Sequence, residues 1–296
     1  MRRSALLLLL ASFAIPLLAQ QESQLLIPLT TPDGKRAPNV GVGDLTISED
    51  GKPVKIVKIE PIDTPIKVTL SLDNGRGLSQ GTDFALIRNG AKGFINALPE
   101  SMEVTLVSTA PQPRTVVKST KDRAVLLKGI DAIAPATGPA SFIDSITEWI
   151  FRIDKDKDKG TYTPVLVALG STFGEEYVKE SDIKDAMNKL PTLGGTVHVL
   201  MYNAKTQQGG SSEAQLAVGQ GATDRTKGKW EVVANAQRIE AALPELGALV
   251  AKMQAGGQYL VTVQRPAGAG PRLGAVGMTA PTGITIGKIS LVQPKK

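Results

Sequence analysis

Residues 66–77 read IKVTLSLDNGRG, and this stretch decides the fold class. The first seven residues are rich in types that favour β-strands, so they predict a strand that ends at Asp73. A Gly-rich loop follows, and apolar residues then recur at helical spacing from about Thr82 to Leu98. A strand, a short loop and an amphipathic helix in this order indicate a β-α unit of a parallel sheet.

The same alternation of strand and helix continues along the chain. Two nearly continuous apolar runs, at 164–169 and 196–202, are typical of strands that are buried on both faces of a sheet. Ser181 is placed to cap a helix that runs to Leu190, whereas the Gly-rich segment 203–228 predicts a loop with one helical turn near 214–218. The other predicted elements are an edge pair of strands at 102–108 and 114–118, a strand at 230–234, and helices at 122–133, 142–153 and 238–253, the last interrupted by Pro244.

This order of elements predicts an α/β fold, a doubly wound and mainly parallel sheet with a small N-terminal β unit and a C-terminal β extension. In the N-terminal unit, strand patterns at 45–48 and 54–59 flank Asp50-Gly51, a dipeptide that favours a tight hairpin. Strand patterns at 259–264, 272–278 and 284–292 form the extension. We therefore divide the chain into a leader at 1–19, the β unit at 20–63, the α/β domain at 64–256 and the extension at 257–296.

The composition removes many kinds of active site. The 296 residues include no cysteine and one histidine. Without cysteine there is no disulfide, thiolate zinc site, iron–sulfur cluster or Cys nucleophile, and a Ser-His-Asp triad would have to use His198. His198 lies in an apolar strand pattern, which favours a packed, hydrogen-bonded residue over a catalytic base. The sequence also lacks G-x-S-x-G, P-loop and dinucleotide motifs, so we predict that the protein is not an enzyme.

The first twenty residues, MRRSALLLLLASFAIPLLAQ, have the three parts of a secretory signal peptide. Arg2 and Arg3 form the basic part, an apolar stretch follows, and residues 17–19 are suitable for cleavage. The apolar stretch is too short to span a bilayer. We expect a secreted or periplasmic protein without stable membrane insertion.

The formal net charge of +6 does not indicate nucleic-acid binding. The basic residues are dispersed, and the densest run, at 155–159, alternates lysine with aspartate. Nucleic-acid-binding surfaces combine patches of one charge sign with aromatic side chains, and aromatic residues are only 4% of this sequence. We predict a solvated, mildly basic surface and no nucleic-acid partner.

Three segments resemble the von Willebrand factor A family, in particular the VWFA-related group of secreted acidobacterial proteins. Residues 44–56, DLTISEDGKPVKI, resemble the leader strands of that group, and residues 69–73 enter a loop where the family places a metal motif. The segment from 238 to 263 resembles its closing helix and extra strand. The resemblance implies the α/β fold predicted above and a role in protein binding.

The resemblance also implies a Mg²⁺ site, which this sequence changes at most positions. The family supplies Asp-x-Ser-x-Ser, a Thr from a later loop and an Asp after the fourth strand. Here residues 73–77 read DNGRG, Ala140 stands where the Thr belongs, and Ser171 stands where the Asp belongs. The arginine within this motif also repels a cation. We expect no bound metal, with Asp73, Ser141 and Ser171 as vestigial ligand candidates.

We therefore predict a secreted, non-catalytic protein-binding module that uses the loops at 73–80, 136–142 and 170–178. These loops lie at the carboxyl ends of the strands, where open α/β sheets tend to bind ligands. The partner is expected to be an extracellular or periplasmic protein, and the oligomeric state is left open. The candidate contact residues are Asp73, Arg76, Thr137, Ser141, Ser171, Thr172 and Phe173.

Three alternatives stay open. The first is a metal-dependent adhesion module whose Mg²⁺ ligands are rearranged to Ser141, Asp144, Ser171 or Thr172. The second is a structural envelope subunit whose exposed strands pair with neighbours. The third is a hydrolase with a carboxylate pair that no motif identifies.

Overall fold

The structure is a computed structural model that describes residues 22–78, 83–203, 212–265, 268–270 and 273–292. The predicted signal peptide at 1–19 lies outside these residues, as do positions 79 and 80 of the first predicted loop.

The described residues form fourteen strands and six α-helices. The strands are β1 (Glu22–Ile27), β2 (Leu29–Thr30), β3 (Thr46–Glu49), β4 (Lys52–Ile62), β5 (Ile66–Leu72), β6 (Glu103–Ser108), β7 (Arg114–Thr120), β8 (Thr163–Ser171), β9 (Thr196–Tyr202), β10 (Trp230–Val233), β11 (Gln258–Gln264), β12 (Val276–Thr279), β13 (Thr285–Ile286) and β14 (Ser290–Val292). The helices are α1 (Asp83–Ala97), α2 (Arg123–Ala132), α3 (Phe142–Lys155), α4 (Glu180–Lys189), α5 (Ser212–Thr226) and α6 (Ala236–Gly256).

The main sheet confirms the predicted fold class. Its strand order is β10-β9-β8-β5-β6-β7, and every pair is parallel except β6 with β7. Helices α1, α2 and α6 cover one face, and α3, α4 and α5 cover the other. β6 lies inside the sheet, so only β7 of the predicted edge pair is an edge strand.

Strand β8 lies between these two helical layers. All nine of its residues are buried. Val165, Val167 and Leu169 pack with α1 and α6, whereas Leu166 and Ala168 pack with α3 and α5. Burial on both faces explains why this segment reads as a continuous apolar run in the sequence.

A second, antiparallel sheet joins both ends of the described chain. Its strand order is β12-β3-β4-β11-β1-β14, so strands from 20–63 and from 257–296 share one sheet. Asp50 and Gly51 both have positive φ angles, which makes the β3–β4 hairpin the tight turn that this dipeptide predicts. A buried ion pair between Glu49 and Arg265 further ties the two segments together.

Helices α5 and α4 differ from the sequence prediction. The segment predicted as a loop contains α5, a helix of 15 residues. The sequence does not indicate this helix, because it packs through small and polar residues and has a weak apolar pattern. At Gly219, for example, a Cβ atom would collide with the Trp230 ring. Helix α4 begins at Glu180, so the predicted cap Ser181 lies inside the helix and Lys179 holds the cap position.

Helix α6 continues through Pro244, where the sequence predicts an interruption. The proline ring lies against Gly93 of α1, at 2.6 Å from the place a Cβ atom would take. At Gly247, a Cβ would lie 2.7 Å from the backbone oxygen of Phe94. This close approach of α1 and α6 gives the helix packing partners that offset the hydrogen bond lost at the proline.

Among the described residues, no helix combines the length and the apolar character that crossing a membrane requires.

Replacing Gly247 tests the contact between α1 and α6. Ala favours a helix over Gly by about 1 kcal/mol at an exposed site, but Gly247→Ala is expected to destabilise the protein by about 1–3 kcal/mol because backbone cannot move aside. Gly221→Ala in α5 is the matched control, since its added Cβ meets only the ends of the flexible Arg225 and Met187 side chains. Thermal unfolding followed by circular dichroism should give a lower midpoint for Gly247→Ala and no decrease for Gly221→Ala.

Candidate functional site

The loops that follow β5, β8 and the α2 helix meet at the carboxyl edge of the main sheet. We call this region, residues 73–78, 133–141 and 171–178, the upper crevice. Asp73 lies at its base with no exposed surface. Its Oδ1 accepts a hydrogen bond of 2.7 Å from the Gly75 N–H, while its Oδ2 is buried without a hydrogen-bond partner in the described part of the chain.

Burial controls the charge of Asp73. Removal from water raises the pKa of this carboxyl group from 3.8 to about 6, although the Gly75 N–H and the neighbouring Ser171 lower it in part. The Arg76 guanidinium does not neutralise the carboxylate, because it is exposed and lies 4.7 Å from the centre of the Phe173 ring. Asp73 therefore orders its own loop. At neutral pH its carboxylate is ionised, and burial of that charge costs folding free energy.

Asn74 holds three loops together. Its Nδ2 donates to the Ala134 oxygen at 2.8 Å, and its Oδ1 accepts from the Ala110 N–H at 2.9 Å. Its own backbone oxygen accepts from the Ala136 N–H at 2.7 Å. The sequence analysis did not single out Asn74, and its position directly after the strand end was the only available signal.

Asp144 and Ser141 hold the remaining loops at the start of α3. The Asp144 carboxylate accepts hydrogen bonds from the backbone N–H groups of Tyr177 at 3.1 Å and Val178 at 2.7 Å. The Ser141 hydroxyl donates to the Pro111 oxygen at 2.6 Å. On the opposite loop the Ser171 hydroxyl donates to the Phe173 oxygen at 2.9 Å. These polar groups are thus engaged in fixing the crevice.

Gly75 and Gly77, at positions where the sequence resemblance implies serines, leave no room for side chains. A Cβ at Gly75 would lie 2.7 Å from the backbone nitrogen of Ala140, and one at Gly77 would lie 2.5 Å from the Ser171 hydroxyl oxygen. Such distances are shorter than any van der Waals contact. Protein atoms therefore fill the space that side chains at these two positions would need.

The residues of the upper crevice do not fit a magnesium ion. Mg²⁺ needs near-octahedral oxygen ligands at about 2.0–2.1 Å. Asp73 offers one unpartnered oxygen, but the Asp144 carboxylate already accepts backbone N–H groups, and Gly75 and Gly77 supply no side-chain oxygen. No group of three or more His, Asp or Glu residues suited to a metal occurs in the described ranges. The function proposed below for this crevice therefore involves no metal ion.

The predicted contact residues separate into two groups. Asp73, Ser141 and Ser171 have no exposed surface, and Thr172 and Phe173 are also buried. Arg76 and Thr137 are exposed at the mouth of the upper crevice. A second residue that the sequence analysis missed is Tyr177, which is 56% exposed and donates from its hydroxyl to Glu175 at 3.0 Å. We call Arg76, Thr137 and Tyr177 the rim of the upper crevice.

The fold has counterparts among solved structures. No protein-family model and no curated protein matches the chain. The structure is similar to von Willebrand factor type A from Catenulispora acidiphila, with a TM-score of 0.50 and 11% identity over 93% of this chain and 74% of that chain. Lower TM-scores relate it to proximal thread matrix protein 1 of the mussel byssus (0.48; 12% identity; 65% of this chain, 49% of that one) and to the vWF domain of the type V pili tip protein Mfa5 from Porphyromonas gingivalis (0.45; 12%; 64% and 96%).

The sheet order and the first of these similarities show that the chain has a von Willebrand factor A-type fold. This confirms the fold that the sequence resemblance implied.

Replacing Asp73 by Asn is expected to stabilise the protein at neutral pH. The unfolded carboxyl ionises near pH 3.8 and the folded one near pH 6, so stability falls as pH rises through this window and the full cost remains above it. At about 1.4 kcal/mol for each pH unit, the cost is about 3 kcal/mol. Asn stays neutral and keeps the acceptor for the Gly75 N–H. Unfolding midpoints should exceed the wild type at pH 7.5, with the difference vanishing below pH 4.

Asp144→Asn is the contrasting control for this experiment. The amide oxygen can still accept at the Oδ1 position from Tyr177 and Val178, but the substitution removes the negative charge and places an NH₂ donor where Oδ2 now accepts from the Tyr177 N–H at 3.1 Å. This variant should unfold at a lower temperature than the wild type at pH 7.5. A lower midpoint for Asp73→Asn as well would contradict the role of burial at Asp73.

Proposed function

We propose that this protein is a secreted or periplasmic, non-catalytic module that binds a protein partner through the rim of the upper crevice, without a bridging metal. The observation that carries the proposal is the rim itself. Arg76 lies over Phe173, and Tyr177 is exposed at the same edge of the sheet. Arg and Tyr are among the residues that most often dominate binding energy at protein interfaces.

The rim residues are held in place before any partner arrives. Arg76 is anchored by its backbone N–H, which donates to the Gly138 oxygen at 2.8 Å, and by the Phe173 ring beneath its guanidinium. Tyr177 is anchored by its N–H bonds to Asp144. A surface fixed in this way loses less conformational entropy on binding than a mobile one. This supports a binding role for the rim and a structural role for the buried residues below it.

The absence of a metal from the proposed mechanism has a physical basis. A cation at Asp73 would need further oxygen ligands that Gly75 and Gly77 do not supply, and it would be repelled by Arg76. Recognition is therefore expected to rest on cation–π, hydrogen-bonding and apolar contacts of Arg76, Thr137 and Tyr177. Planar guanidinium groups and aromatic rings also suit an acidic or aromatic-rich partner surface.

The rim is tested by binding to a partner that is captured from the cell envelope in the presence of chelator. Arg76→Ala and Tyr177→Ser are each expected to raise the dissociation constant for this partner by about tenfold or more. Arg225→Ala is the control, since this exposed arginine lies at the far end of α5. A partner whose affinity is unchanged in both rim variants would refute the proposed surface.

Thermal unfolding in the presence of Mg²⁺, Mn²⁺ or Ca²⁺ tests the metal-free part of the proposal. A ligand that binds only the folded state raises the unfolding midpoint. We expect equal midpoints with each ion and with chelator. A rise that Asp73→Ala removes would instead establish the metal-dependent adhesion module with rearranged ligands.

A further inference from the structure

A cavity of about 1170 Å³ lies at the amino edge of the main sheet, where the parallel strands begin, and so at the opposite edge from the upper crevice. Its lining includes Ile66, Thr163 and Thr196, which are the first residues of β5, β8 and β9. The antiparallel sheet supplies the other side through residues of β1, β12 and β14. We call this space the lower cavity. It is formed jointly by the α/β domain and the antiparallel sheet.

The walls of the lower cavity are mostly apolar. Its volume is at or above the range of about 300–1,000 Å³ that is usual for small-molecule sites. Two of its side chains are methionines, whose flexible thioethers adapt to the shape of an apolar ligand. The apolar lining includes Leu26, Leu249, Met253, Met278, Ile286 and Ile289.

The charged groups of the lower cavity are all basic. The lining contains four lysines and no Asp or Glu. Lys288 donates from Nζ to the Gly195 oxygen at 3.0 Å and forms no ion pair with a described residue. Its removal from water lowers its pKa to about 8. Lys227 and Lys252 are likewise unpaired among the described residues, whereas Lys229 is paired with Glu231.

A buried donor adds to this pattern. The His198 ring is 3% exposed, and its Nδ1 accepts a hydrogen bond of 2.9 Å from the Lys229 N–H. Burial and Lys229 lower its pKa to about 4, so the ring is neutral and its one proton lies on Nε2. That Nε2 has no hydrogen-bond partner in the part of the chain that the structure describes. An unpartnered donor and an unpaired ammonium group in one apolar space favour an acceptor with negative charge.

We propose that the lower cavity binds an amphipathic anion, a single long aliphatic chain that ends in a carboxylate. The aliphatic chain lies along the methionines and leucines, where its transfer from water is favourable at about 0.8 kcal/mol for each buried CH₂ group. The carboxylate pairs with Lys288, which has no other charged partner within the described residues. A cationic headgroup would be repelled by the same lysines. This site is separate from the upper crevice and does not depend on the function proposed for it.

The experiment measures binding of dodecanoate to the full chain at pH 7.5 by isothermal titration calorimetry, below the micelle concentration. Dodecyltrimethylammonium and dodecanol carry the same chain with a positive and a neutral headgroup. Dodecanoate is expected to bind with one-to-one stoichiometry and at least about tenfold more tightly than the cationic compound. Absence of dodecanoate binding, or equal binding of the cationic compound, would overturn the proposal.

Lys288→Met tests the headgroup contact. The substitution keeps most of the apolar stem of the side chain and removes its charge, so dodecanoate affinity should fall by about tenfold while dodecanol affinity stays constant. A general packing defect would lower both affinities. Lys118→Met is the control, because Lys118 is an exposed lysine on β7 that does not line the cavity. Equal dodecanoate affinity in Lys288→Met and Lys118→Met would refute the pairing.

Leu249→Trp tests the apolar part without touching a charge. Leu249 lines the cavity from α6 and is 37% exposed, so a larger side chain can enter the cavity without disturbing the sealed core. Affinity for dodecanoate and for dodecanol should both fall by about tenfold or more. Leu249→Trp, together with the comparison of dodecanoate, dodecyltrimethylammonium and dodecanol, tests the proposed site even if Lys288→Met does not fold. Unchanged binding in Leu249→Trp would place the ligand elsewhere.

Discussion

Burial of β8 on both faces is the constraint on which the rest of the structure depends. All nine residues of this strand are buried, so the sheet needs a helical layer on each side. Parallel neighbours on both edges of β8 require crossover connections, and these place the loops after β5 and β8 together at one edge. The upper crevice is therefore a geometric result of the core, whatever residues line its loops.

Within that crevice, hydrogen bonds from buried polar side chains hold the loops together. Asp73, Asn74 and Asp144 each hold backbone groups of a different loop. Gly75 and Gly77 allow Ala140 and Ser171 to approach so closely that loop atoms occupy the space between the loops. The rim above keeps Arg76 and Tyr177 exposed on a fixed base, which is the arrangement that a binding surface requires.

The antiparallel sheet forms a second concave region of the molecule. Because strands from both ends of the described chain build it, the α/β domain is an insertion between its two halves. This sheet lies beside the amino ends of the parallel strands, and the space between them is lined by lysines and apolar side chains. The upper and lower faces thus offer different chemistry: one presents exposed Arg and Tyr, and the other encloses an apolar, basic cavity.

The sequence by itself determined the fold class, the β3–β4 hairpin and most elements, because continuous apolar runs and helical spacing report burial directly. The predicted bounds of β5 and β9, at 66–72 and 196–202, are those of the structure. Tertiary structure alone decided the existence of α5 and the continuity of α6 through Pro244, since close packing on glycines outweighs local propensity. It also decided which candidate residues are buried and which form the rim. Burial depends on loops from distant segments meeting at one edge, which no local pattern records.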